Sequence, residues 1–433
     1  MHFGKTVMES KIKTTCSLIM TVAGILLQSC EYYHTKQHSF VSIDDDSTEL
    51  IQIEEVTDSS IIAITDIADT VMYFRLNRSA QKKSISQAYY DENQIIVYDL
   101  DSLFFYSLDG NEKKRISFPM ACVDYDIANH CIYIYEFKKR KISVLTSEGA
   151  LTNTISVKSV EAGYYGNYFA SINDSLYVIA SPNTTGDNGG LLFVSCTGNI
   201  VGRKKTQEVF QPSQSSYSYN LVWDIPVFRT PIGIGYYPWY EDVVYWLNDN
   251  GETEPFFTEK VLKKVPVNHR TEVTGGELDE YIKQCKTNMW STPRYYINKR
   301  FILAQYVYGR STTDLPGYLL YDKKNGKSRV HKDLFSFSIM HYGLYNDYDG
   351  GMAFTPMNQC GDYLMMAGAG MAQGGMSGFP KTLYNEGRKF GENTVPVVSN
   401  VSKDKRKSKV LSDFFLSFDE DKHTMITALK LKQ

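Results

Sequence analysis

No apolar run beyond residue 30 is long enough to cross a bilayer, which takes about 20 residues. Strong charge of either sign is also missing. The chain carries 46 basic and 49 acidic side chains, a net of −3 at pH 7, and lacks the basic excess of a nucleic-acid binder. Cysteine is sparse, with seven in 433 residues, and none sits in a CxxC or in the clustered Cys/His spacing of a structural zinc site. G-x-S-x-G, H-E-x-x-H and the P-loop are absent, so no motif supports catalysis. Helix signals are few.

What is present begins at the N-terminus. Lys5, Lys11 and Lys13 precede the short apolar run Leu18–Ile25, which leads into Leu26-Leu27-Gln28-Ser29-Cys30. A basic region, a short apolar core and small residues before a cut make a secretory signal. The stretch around Cys30 resembles the lipobox of bacterial lipoproteins, with Leu27 at −3 and Ser29 at −1. The resemblance implies cleavage after residue 29, lipid attachment at Cys30 and tethering to a cell-envelope membrane, expected to be the outer one. The mature chain would carry 43 basic and 48 acidic residues. Glu31 to Asp46 is polar and aperiodic and reads as part of a flexible tether over 30–48.

Aromatics make up 13% of the chain, including 32 tyrosines, which suits the half-buried surfaces of strands. An aromatic-rich strand followed by polar residues and a glycine recurs at Leu103–Gly110, Val144–Gly149, Leu191–Gly198, Val243–Gly251 and Tyr318–Gly326. Glycine supplies the positive φ of a tight hairpin. A second signature, a polar turn and then an apolar strand, often comes just before, as in Asn93–Tyr98, Asn129–Tyr135 and Asn173–Ile179. It returns at Asn298–Leu303 and, more weakly, at Gly361–Met366. The unit repeats at about 40 residues early in the chain and at longer intervals later, within the propeller range. The expected fold is all-β: a six-bladed β-propeller of four-stranded antiparallel blades over 49–433, with a short C-terminal helix. The sixth blade is expected to mix Thr70–Leu76 with Met425–Leu431, which closes the ring and removes long open edges. The helix is expected over Leu411–Glu420 with Ser412 as its cap, and Lys403–Lys409 reads as a solvated loop. Cys122 and Cys131 flank an apparent turn, and a disulfide between them is one possibility.

The segments Thr65–Leu76, Asn346–Pro356 and Ala428–Lys432 together resemble the six-bladed, TolB-like β-propeller lipoproteins of Gram-negative envelopes. That resemblance implies a scaffold rather than a particular reaction. It would cover about residues 50 to 433.

Two places carry candidate ligand chemistry. Asp347 and Asp349, followed by Gly350 and Gly351, could hold Ca²⁺, although Asp residues capping a turn explain the pattern more simply. No bound cofactor or metal is expected. Tyr236, Tyr237, Trp239 and Tyr240 could stack on sugar rings if exposed, or could be core. The polar loop Asn183–Gly190 and the Gly/Met-rich stretch Met365–Gly378 could admit a partner. The expectation is a non-catalytic binding or scaffolding module for an envelope protein or peptide. The alternative is a glycan-binding or glycan-processing lipoprotein.

Overall fold

The computed structural model describes residues 32–33, 50–58, 61–77, 85–158, 168–181, 190–205, 227–238, 243–260, 290–307, 316–332, 343–351, 353–367, 388–390, 393–395, 404–419 and 422–433. Cys30, the expected signal segment, Trp239 and Tyr240 lie outside the described residues, as does most of the tether, of the Asn183–Gly190 loop and of the Gly/Met-rich stretch.

Six sheets form a propeller ring. The first three blades run in simple chain order: Gln87–Ser117, Cys122–Ser156 and Tyr168–Lys205. Val227–Glu259 and Trp290–Lys332 build the fourth and fifth. In the sixth, Asn358–Cys360 and Tyr363–Ala367 are followed by His423–Leu431, which pairs antiparallel with Ala68–Asn77. The register sets Met425 opposite Arg75 and Ala428 opposite Met72. The ring is therefore closed by strands from both ends of the chain, as the sequence predicts.

The glycine turns are as expected. Gly110, Gly149, Gly198, Gly251 and Gly326 take positive φ, from +66° to +87°. Each N–H donates back across the turn, as from Gly110 to Ser107 O at 2.9 Å. These turns also join blades. A Cβ on Gly110 would lie 1.8 Å from Arg75 O, on the outer strand of blade six, and one on Gly198 would lie 1.9 Å from Ser156 O, on blade two. Only glycine allows so close a backbone approach.

Before it enters blade six, the N-terminal segment runs as a strap around the rim. Ile51–Ile53 adds in parallel to the outer strand of blade four, opposite Phe257–Glu259. Thr57 N–H then donates to Ser328 O at 3.0 Å, and Val330 N–H to Asp58 O at 3.0 Å, on the outer strand of blade five. Ile53 is 1% exposed and anchors the strap in the core. Near the N-terminus, Tyr32–Tyr33 pairs in parallel with Asp124–Tyr125, on the innermost strand of blade two.

Three details differ from expectation. The C-terminal helix spans Lys405–Leu416 and begins six residues early. Asp404 Oδ1 accepts the Arg406 N–H at 2.9 Å, so Asp404 caps the helix and the basic run forms its first turns, with Ser412 inside it. Ile64–Ile67 is a helical turn rather than part of the opening strand, because Asp66 Oδ2 accepts the Ala63 N–H at 2.9 Å and folds the chain back. Cys122 is disulfide-bonded, but Cys131 is not. The hairpin register sets Cys122 opposite Tyr135 and Cys131 opposite Asp126, so the two cysteines lie at opposite ends of the hairpin.

Candidate functional site: the channel and the long-connection face

The innermost of each blade's own four strands are Gln87–Asp91, Cys122–Asp126, Tyr168–Asn173, Val227–Thr230, Trp290–Ile297 and Asn358–Cys360, with Tyr32–Tyr33 laid inside that of blade two. Among the described residues no backbone ladder links these innermost strands to one another, and polar side chains join them. Asp124 and Arg229 form a two-pronged pair, Nε to Oδ1 and Nη2 to Oδ2, each at 3.1 Å. Both residues are almost wholly buried. Arg229 Nη2 also donates to Ser171 O at 2.6 Å, and Ser171 N–H donates to Asp124 Oδ2 at 2.8 Å. One network thus ties blades two, three and four. Burial pushes the Asp124 carboxyl well above its ordinary value, against the pull of the Ser171 N–H. The guanidinium is permanently charged and favours the carboxylate.

Amide side chains stand in for strand pairing at two other joints. Asn358 accepts from Ala88 N–H at 3.2 Å and donates to Ala88 O at 2.8 Å, joining blade six to blade one. Gln359 accepts from Ile297 N–H at 2.9 Å and donates to Ile297 O at 3.0 Å, joining blade six to blade five. Between blades one and two, Tyr125 OH donates to Asp91 Oδ2. Burial raises the Asp91 carboxyl, opposed by its bonds to Tyr125 and Gln94. Sequence reading missed Asp124, Ser171, Arg229, Asn358 and Gln359, since the partners are far apart in the chain. The one available signal was a charged residue at the middle of a strand, such as Asp124 in Cys122–Asp126.

Strand alternation separates the two faces of the ring. One face carries the short turns, including all five repeat glycines. The strand ends that bound the longer connections 182–189, 206–226, 237–242, 261–289, 308–315, 333–357 and 368–422 all meet the opposite face. Tyr236, Tyr237, Asp347 and Asp349 lie in or beside two of those connections.

The structure changes what these candidates can do. Tyr236 and Tyr237 are 2% and 0% exposed. The Tyr237 ring packs edge-on to Tyr295 at 5.6 Å. Neither ring is open to a sugar. Asp347 accepts from Thr65 N–H at 3.0 Å and from the Thr65 hydroxyl. Asp349 accepts from Tyr73 OH at 2.8 Å and from Gly351 N–H at 2.9 Å. Burial raises both the Asp349 carboxyl and the Tyr73 phenol. The two carboxylates hold the loop to the start of blade six and do not converge on a shared point. Among the described residues no group of three or more His, Cys, Asp or Glu side chains is placed to hold a metal. The cavity beside Tyr73 and Asn346 has room for about one water molecule.

No protein-family model matches the chain, and no curated protein does. Solved structures do share its shape. A candidate exported protein from Bacteroides fragilis aligns over 89% of this chain and 100% of its own, with a TM-score of 0.60 and 11% identity. A member of the DUF4221 family from Bacteroides vulgatus aligns over 61% of this chain and 85% of its own, with a TM-score of 0.37 and 11% identity. A protein of unknown function from Bacteroides caccae covers 59% and 84%, with a TM-score of 0.36 and 9% identity. The first likeness bears on the fold alone.

Proposed function

We propose that this chain is an envelope lipoprotein, anchored through Cys30, whose propeller serves as a non-catalytic binding or scaffolding module. Its partner, an envelope protein or peptide, is met on the long-connection face. One observation carries the reading: the strand ends that bound the long connections meet one face of a ring whose innermost strands are joined by buried polar side chains. Such a frame is rigid and leaves recognition to loops. The secretory segment and the exported character described for the Bacteroides fragilis neighbour support placement in the envelope, and the shared architecture fits the TolB-like resemblance. Burial of Tyr236 and Tyr237 removes half of the aromatic set that a glycan platform would use.

Two measurements on the full chain in cells test this. Cys30→Ala should move the protein out of the membrane fraction; unchanged membrane association would sink the anchoring claim. A photo-crosslinker at exposed Lys138, on the long-connection face, should capture a partner. The same group at exposed Asp249, on the turn face of blade four, should not. Capture from the turn face alone would refute the assignment of faces.

A further inference from the structure

A propeller has six outer edges, and each is a row of backbone groups open to a further strand unless something prevents it. Among the described residues five are protected. Ile51–Ile53 covers blade four, and Thr57 and Asp58 cover blade five. The helix Lys405–Leu416 packs Phe414 against Tyr73 on the outer strand of blade six, and Arg75 there donates to Ser417 O. The outer strand of blade one carries Lys113, Lys114 and Arg115, and that of blade three carries Arg203, Lys204 and Lys205. Charges of this kind discourage pairing.

Blade two is the exception. Its outer strand, Leu151-Thr152-Asn153-Thr154-Ile155-Ser156, has no charge, no proline and no glycine. Apart from Ile155 its residues are exposed, and Leu151 is 62% exposed. From Ser156 onward the edge is taken by the neighbouring hairpin, where Lys158 N–H donates to Gly198 O at 2.8 Å. Ahead of that point, Thr154 N–H is held at 2.8 Å by the side chain of exposed Asn153. An incoming carbonyl can replace that amide without disturbing the ladder to Lys141–Thr146. The surroundings are basic. Exposed Lys138, Arg140 and Lys158 lie at one end of the strand, beside Lys139, which is paired with Glu136 at 2.5 Å; at the other end Lys114 Nζ reaches the turn that carries exposed Glu148, 2.7 Å from Gly149 O.

We propose that the edge Leu151–Thr154 is a docking site for an extended, acidic polypeptide segment of another protein, which adds to blade two as a fifth strand. The molecule already uses this mode on itself at blade four. The backbone supplies the pairing, while the lysines and arginine at the strand ends select carboxylates and repel a second, equally basic copy of this rim.

The test uses the full mature chain and a synthetic probe, an alternating Val/Thr peptide with Asp and Glu at its ends, beside the same peptide ended in lysine. Anisotropy should show binding of the acidic probe and at least tenfold weaker binding of the lysine probe at low salt. Hydrogen exchange should then show new protection at Thr154. Thr154→Pro removes one outward amide at an edge position that tolerates proline and should abolish binding. If that variant melts early, the exchange pattern of the wild type decides alone. Absence of binding, protection elsewhere, or binding unaffected in a folded Thr154→Pro variant would overturn the proposal. So would concentration-dependent dimerisation lost in Thr154→Pro, since the occupant would then be a second copy.

Discussion

The two halves of the ring are held by different means. Blades four to six are bound at the rim: the strap crosses the outer strands of blades four and five, then becomes the outer strand of blade six. In blades one to three no described segment crosses the outer strands. They depend on packing between blades and on the seams where they meet the bound half. One seam lies on the inside, where Arg229 of blade four reaches Asp124 and Ser171. The other includes Gly110 of blade one against Arg75 of blade six, with Asn77 N–H donating to Gly110 O at 2.8 Å. The contrast teaches that ring closure through the terminal strands is only part of the design. The same N-terminal segment also decides which edges are spent and which stay available.

Breaking the inner seam should have the largest effect. Arg229→Met leaves Asp124 buried and uncompensated, which should cost about 3–5 kcal/mol in denaturant unfolding. Adding Asp124→Asn should recover part of the loss. A full cost retained in the double variant would show that packing, not the ion pair, holds the seam. Breaking the rim seam should cost less. Gly110→Ala forces an L-residue to φ +87° with a Cβ against Arg75 O, an expected loss of about 2 kcal/mol. Gly326→Ala, at φ +66° with only Tyr321 OH at 3.9 Å, is the control. It should lose less, because it has the strain without the clash.

The smallest effect lies inside the bound half. Lys323 of blade five donates to Asn298 O at 2.6 Å, with its Nζ 5.2 Å from the Phe256 ring of blade four. Burial lowers its ammonium to about 8. In the window between that value and the unfolded lysine's, about 10.4, the unfolded chain holds the extra proton, so stability should rise with pH there. Lys323→Met should flatten that rise by about 1 kcal/mol, allowing for partial exposure. An identical pH profile in the variant would show that the side chain is solvated.

The pattern of what was legible follows the range of the interactions. Strand, glycine turn and strand lie within ten residues of each other, so the blades could be read from sequence. Ring closure was readable because Thr70–Leu76 and Met425–Leu431 are strand-like segments left over at the two ends. The strap was not, since Ile51-Gln52-Ile53 is too short to stand out among acidic neighbours. The helix start was missed because the basic run hid the cap at Asp404. The site suffered most: Asp347 and Asp349 looked like ligands, yet their partners Thr65 and Tyr73 lie far back in the chain. Asp124 and Arg229 likewise meet across 105 residues.

The division into a bound and an open half is tested most directly by hydrogen exchange on the native protein, read at single amides. The strap should slow exchange at Lys260, whose N–H donates to Ile53 O, and at Val330, whose N–H donates to Asp58 O. Outward-facing amides of Glu112–Ser117, Leu151–Thr154 and Ile200–Arg203 should exchange orders of magnitude faster. Equal protection on all the outer strands would contradict the account.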